Sequence, residues 1–434
     1  MLPESSESDS SSSDPSGGAH HRSGQALCLS GGGYRAALFH LGAVRRLNEC
    51  GLLGHLDMIS SVSGGSILAA HLARVVTPWP AGDAVFPEWE SRVAAPFRAF
   101  CSCDIRTPAL LRSLWNPWRL LRQGLNPAGL EIAYRRLLTP DALSTLPETP
   151  RFVFCATELL TGTLWRFERD TVRSWRTSRL RPEPEDTIAR AIAASSCFPP
   201  LFAPMYPTRE ADRIADVEIE GKDPLPASKL RLSDGGLYDN LGIEPAIKRH
   251  KVIFVSDGGA PFDYTHADGW LRQSKRYFEV LARQVANLRW QEFHRLRRSG
   301  NILGGHWSLT HAQPKDDGSP SDGSHGRYSA EFAREVIATI RTDLNTFSVT
   351  EAAVLENHGY WQADATLKLN MIDLALRSMP DARCPHPEFN DERSLRVALH
   401  ARARRLPRNP FSALRVLWRG RKLPSHPGAK NPGR

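Results

Sequence analysis

Residues 56–73 read LDMISSVSGGSILAAHLA. An apolar, partly β-branched run reaches Ser61-Val62-Ser63-Gly64-Gly65, and a helical pattern starts directly after it. Ser63 stands where a strand turns sharply into a helix. Such a turn crowds the positions two before and two after its apex, so small residues are required there, and it lifts the apex hydroxyl clear of the sheet. Ser61 and Gly65 meet that demand, although Ser61 replaces the first glycine of the strict G-x-S-x-G pattern. Ordinary α/β architecture also needs small residues at tight corners, so this stretch alone leaves both readings open.

A second corner lies upstream in LCLSGGGYRAALFHLGAVRRL, residues 27–47. Gly31, Gly32 and Gly33 ahead of a helix give backbone whose N–H groups can converge on one point, aided by the helix's positive end. That arrangement suits a phosphate or the oxyanion of an acyl-transfer intermediate. No Gly-Lys-Ser/Thr follows, which excludes a P-loop, and the next strand ends in serines where a dinucleotide site needs an acid.

The remaining chain fits the same class. Runs at 26–30, 56–63, 151–159, 162–170 and 251–257 read as strands, and 34–50, 65–75, 186–198 and 270–298 as helices, the third of these stopped by Pro199 and Pro200. Strands alternating with helices imply a mostly parallel sheet covered on both faces. The expected organisation is a disordered Ser/Asp-rich leader over 1–24 and a catalytic domain over 25–370. Within that domain lie a helical insertion at 77–150 and a mobile loop at 311–327. A helical and then basic tail occupies 371–434.

Composition narrows the function classes. The 434 residues are 41% hydrophobic and 24% charged, ordinary for a soluble globular protein able to bury a full core. No stretch approaches the ~20 apolar residues of a membrane span. The N-terminus has no basic start and no apolar core, so it does not read as a secretory signal. Seven scattered cysteines without metal-like spacing read as reduced structural thiols of a cytosolic protein. The net charge of +9 is concentrated toward the end, where residues 402–434 hold ten Lys/Arg and no acid. That tail is a candidate contact for an anionic membrane surface. No nucleic-acid signature and no acidic Ca²⁺-type loop is present; no metal or cofactor is expected.

A serine nucleophile needs a base. Two Asp-Gly-Gly stretches offer one, Asp234 in RLSDGGLYDNLG and Asp257 in VIFVSDGGAPF. An ordinary triad would instead draw on His250, His306 or His358.

The order SGGGYRA (30–36), SVSGG (61–65), AASSCFPPLFAP (193–204) and SDGGLYDNLG (233–242) resembles the patatin-like phospholipases. The resemblance implies a three-layer α/β/α fold with a mostly parallel central sheet and extra helices. It implies a serine lipid acyl hydrolase using a Ser-Asp dyad, without cofactor. Ser63 matches the nucleophile and Asp234 the base, with Gly31, Gly32 and Gly33 as the oxyanion loop. Arg35, Gly65, Gly235 and Gly236 match supporting positions. The sequence departs from the pattern at Ala36 and Ser61, both small. Asp257 then becomes a strand-end residue. The expected partner is membrane phospholipid or another acyl-ester lipid, met in the cytoplasm or peripherally at a membrane. A small-ester or thioester hydrolase, and a catalytically silent scaffold of the same fold, stand as alternatives.

Two segments bear on lipid access. Residues 107–125, TPALLRSLWNPWRLLRQGL, mix Leu, Trp115 and Trp118 with arginines. Residues 277–296, YFEVLARQVANLRWQEFHRL, raise the same question. Packing against the main domain is the expectation for both.

Overall fold

The computed structural model describes residues 22–108, 125–176, 180–199, 201–207, 217–219, 222–259, 270–310, 327–370 and 378–405, with Leu374. Strand β1 (Gln25–Leu29) leads into α1 (Gly33–Glu49), and β2 (Leu56–Val62) into α2 (Gly64–Val75). After α3 (Ala128–Leu137) come β3 (Arg151–Glu158), β4 (Thr163–Phe167), β5 (Val172–Arg173) and α4 (Ile188–Ser195). Then follow β6 (Leu232–Asp234), β7 (Val252–Asp257), α5 (Trp270–Arg298), β8 (Leu303–Ser308) and α6 (Val349–Leu369).

Eight strands form one sheet in the order β8-β7-β1-β2-β3-β4-β5, with β6 also on β3. The neighbours from β8 to β3 are parallel, whereas β4 and β6 run antiparallel to β3. Alternation along each parallel strand builds two cores, because successive side chains point to opposite faces. Leu27, Leu29, Ile59, Phe152, Phe154 and Phe254 join the core under α1, α2 and α6. Ala26, Cys28, Met58, Val62, Val153, Cys155, Ile253 and Val255 join the other, which also takes Phe293 and Leu296 of α5. This is the expected three-layer α/β/α arrangement.

Helices α1 and α6 cross with their backbones almost touching. A Cβ on Gly42 would sit 1.8 Å from the Glu356 carbonyl oxygen, and one on Gly359 1.8 Å from that of Phe39. Only glycine fits at that crossing. Helix α6 itself begins in a capping box between Ser348 and Glu351.

Two expectations change, and one strand is added. Helix α4 ends at Ser195, ahead of Pro199, where the chain turns to meet β6: the Gly235 N–H donates to Ser195, the last helical residue, at 3.4 Å, and the Asp234 N–H to Cys197, two residues past the helix, at 3.1 Å. The segment Leu303–Ser308, assigned no element from sequence, is edge strand β8. On α5, Phe293 and Leu296 are buried, but Tyr277, Leu281 and Leu288 are 66%, 64% and 64% exposed, so core packing holds for only one face of that helix. Arg22 and Ser23 bond the Ile247 and Arg249 carbonyls at 3.0 and 3.1 Å, tying in the chain ahead of β1. The Ser/Asp-rich stretch 1–21, residues 109–124 with Trp115 and Trp118, loop residues 311–326 and the basic tail from 406 lie outside the described residues.

Candidate active site

The sheet register brings the two sequence-predicted catalytic residues together. Along β3, Cys155 pairs with Val62, the last residue of β2. One residue further, Ala156 pairs with Asp234, on the strand that takes over the same edge of β3 where β2 has stopped. Ser63, directly after Val62, therefore meets Asp234. The Asp234 backbone is held by its own N–H to Cys197 and by the Thr157 hydroxyl, which donates to its carbonyl at 2.8 Å.

Ser63 has φ 48° and ψ −113°, and is the only non-glycine with positive φ among the described residues. This is the strained apex of a strand-to-helix turn. Neither Ala36 nor Ser61 needs a positive φ, so both departures from the pattern fit without strain. Ser61 is buried and satisfied, its hydroxyl donating to the Val153 carbonyl at 3.3 Å and accepting from Ser66 at 3.1 Å.

The two glycine-rich corners lie back to back. A Cβ on Gly64 would come 2.2 Å from the Gly33 carbonyl oxygen, so neither turn can take its path unless this position stays bare. Gly65 and Gly235 press in the same way on the Leu29 and Cys155 carbonyls. Gly32 and Gly33 have φ of 143° and 58°. The Gly31 N–H is occupied by the Asn240 carbonyl at 3.0 Å, so of the three predicted oxyanion donors it is the one already bonded. Arg35 is buried behind the loop and donates to the Ala338, Ile340 and Gly258 carbonyls at 3.0, 2.9 and 3.3 Å. It braces the loop and does not line the pocket.

Burial of the Asp234 carboxyl pushes its pKa up to about 6, against the opposing pull of the Gly236 N–H at 2.8 Å and of a hydrogen bond with Ser63. Asp257 differs. Burial alone would raise it, but His306, 3.9 Å away, and the Gly259 N–H at 2.9 Å hold it down at about 2.

Ser63, Asp234, Asp257 and the glycine loop line one pocket of about 410 Å³. Its wall is largely apolar, with Phe198, Leu201, Phe202, Leu241 and Leu344, and α5 adds Ala282, Arg283 and Ala286. Arg106 enters paired to Asp343. Among the described residues no histidine lines it. His358 is buried between Phe39 and Tyr328, donates to the Leu309 carbonyl at 3.0 Å and is lowered by burial to about 4. His250 bonds the Ala246 carbonyl, four residues before it in the chain.

Two residues escape reading from sequence. The Ser195 hydroxyl accepts the Ser63 N–H at 2.8 Å and donates to the Cys155 carbonyl at 2.7 Å. Asn240 binds Gly31 through its carbonyl and reaches the pocket wall. Both sit inside the quoted blocks, in AASSC and in YDNLG, but a serine after a helix and an asparagine in a turn carry no chemical signal of their own.

The described residues hold no cluster able to bind a metal ion and no helix long and apolar enough to cross a membrane. All seven cysteines are free.

Among solved structures the chain resembles human GIVD cytosolic phospholipase A2, at 14% identity and a TM-score of 0.43, over 87% of this chain and 60% of that one. The same human protein in complex with methyl gamma-linolenyl fluorophosphonate gives 15% and 0.41, over 88% of this chain and 59% of that one. VipD from Legionella pneumophila gives 15% and 0.33, over 80% and 67%. This chain thus spans about three fifths of the length of the human protein. No curated protein matches it. Residues 27–247, half of the chain, match the family model described as patatin-like phospholipase, and the chain belongs to the patatin-like phospholipase family.

Proposed function

We propose that the chain is a serine hydrolase of lipid acyl esters, of phospholipase A or lysophospholipase type, working through a Ser63–Asp234 dyad. The observation that carries this reading is a buried carboxyl group raised to about 6 and hydrogen-bonded to a serine at a strained apex. A general base works best with a pKa near the working pH. Asp234 fits that role, whereas Asp257 at about 2 is a far weaker proton acceptor.

Asp234 takes the proton from Ser63 Oγ as that oxygen attacks the ester carbonyl carbon. The tetrahedral oxyanion is met by the N–H groups of Gly32 and Gly33, each such donor contributing about 3 kcal/mol to lowering the barrier. Collapse breaks the C–O bond to the leaving alcohol, which receives the proton from Asp234. Asp234 then deprotonates water, which attacks the acyl-serine, and Ser63 leaves protonated with release of the fatty acid. No histidine is needed. The apolar pocket wall suits an acyl chain. Action at a membrane from the cytoplasm, with the basic tail as an anionic-lipid contact, belongs to the same proposal.

The test is fatty-acid release from a phospholipid panel by wild type, Ser63→Ala and Asp234→Ala, with fluorophosphonate labelling. Release by wild type, two inactive but folded variants and label on Ser63 support the reading. Activity surviving in Asp234→Ala and lost in Asp257→Ala would move the base to Asp257. No release and no label would favour a silent scaffold.

A further inference from the structure

Helix α5 crosses the pocket on small side chains, Ala282 and Ala286, and farther along buries Phe293 and Leu296 in the core. A helix packed this way turns its polar face to water. Here the outer face carries Tyr277, Leu281 and Leu288, each about two-thirds exposed. At about 100° per residue, these three and exposed Arg295 fall within roughly 40° of one line along the helix. Along this face exposed Gln284 and Gln291 alternate with the apolar side chains, and it ends at Arg295. Large apolar side chains exposed along one helix face mark an interaction surface.

Charge selects the occupant. The α5 sequence holds eight Lys/Arg against Glu279 and Glu292. A second copy of the chain would bring two faces of like charge together, which opposes association. An anionic bilayer instead takes apolar side chains at the headgroup–acyl boundary and arginines at its phosphates. Phe198 and Leu201, which line the same pocket, are also exposed.

We propose that the outer face of α5 is a docking surface for anionic phospholipid bilayers. What docking delivers rests on the hydrolase reading, but docking itself does not.

The test is flotation of the full chain, carrying Ser63→Ala to prevent hydrolysis, with phosphatidylcholine vesicles with and without phosphatidylserine. The phosphatidylserine vesicles should bind the chain more tightly. Leu281→Glu with Leu288→Glu should weaken that binding at least about tenfold, and Arg295→Glu with Arg298→Glu should remove the preference for phosphatidylserine. Wild-type-like binding by the leucine variant, equal binding to both vesicles, or no binding at all would overturn the proposal. So would a change in oligomeric state of the leucine variant without a change in vesicle binding. With Ser63 intact, the leucine variant should hydrolyse a soluble short-chain ester like wild type. Vesicle binding without ester hydrolysis would keep the docking surface and discard the hydrolase.

Discussion

The Ser195 hydroxyl lies 2.8 Å from the Ser63 backbone nitrogen and accepts its N–H. It also donates to the Cys155 carbonyl and contacts the Ser66 hydroxyl at 2.9 Å, fastening the elbow to β3. A buried N–H left without a partner costs about 1–3 kcal/mol. Ser195→Ala should therefore lower kcat on a soluble ester roughly 10- to 100-fold while KM stays near wild type, with partial recovery in Ser195→Thr. A rise in KM at unchanged kcat would assign Ser195 to substrate binding.

Asp234 must be ionised to accept a proton, so activity belongs to the alkaline side of its pKa. The logarithm of kcat/KM should fall with unit slope as pH drops below about 6. A pH profile flat to pH 5 would remove Asp234 as the base.

The same group makes a stability prediction of opposite sense. Its folded pKa of about 6 exceeds the ordinary 3.8, so the folded state holds the proton more tightly than the unfolded state. The resulting stabilisation is complete below about pH 4 and is lost as pH rises through 6, at a cost of about 3 kcal/mol. Asp234→Asn should raise Tm at pH 7.5 by a few degrees and leave it nearly unchanged at pH 4, while abolishing hydrolysis. Thermal unfolding at the two pH values measures it.

Gly33 has φ 58°, and a Cβ there would stand 2.9 Å from the Asp343 carbonyl oxygen. Gly33→Ala should displace the loop and slow acyl transfer about 100-fold, with fluorophosphonate labelling of Ser63 slowed in parallel. Undiminished labelling would place the oxyanion donors elsewhere.

His358→Gln and Asp257→Asn should both leave ester hydrolysis within a few-fold of wild type. His358 is buried away from the pocket, and Asp257 is committed to His306 and Gly259. Loss of several orders of magnitude in the folded His358 variant would restore a triad.

The corners were legible because their constraints are local. Three glycines before a helix and a serine between small residues reveal a turn whatever surrounds them. The short strand Leu232–Asp234 was not legible as a strand, since its pairing is supplied by an edge of β3 far away in sequence. Ser195 was hidden for the same reason, as its partners are Ser63 at the turn after β2 and Cys155 on β3. The α5 stripe was misread because periodicity reports that a helix has faces, not which of them is covered. Tyr277, Leu281 and Leu288 obey the helical period and still face outward.

Strand β3 works as a ruler for this molecule. Consecutive marks on it, Cys155 and Ala156, index Val62 and Asp234, so the distance between nucleophile and base is counted in backbone pairs and not in loop lengths. The chain between Met205, bridged to Leu232, and β6 lies off that scale. Its length can change while the pair keeps its spacing, whereas a slip of one residue in β3 would part them. Diversification by insertion is therefore open between Met205 and Leu232 and closed along the strand.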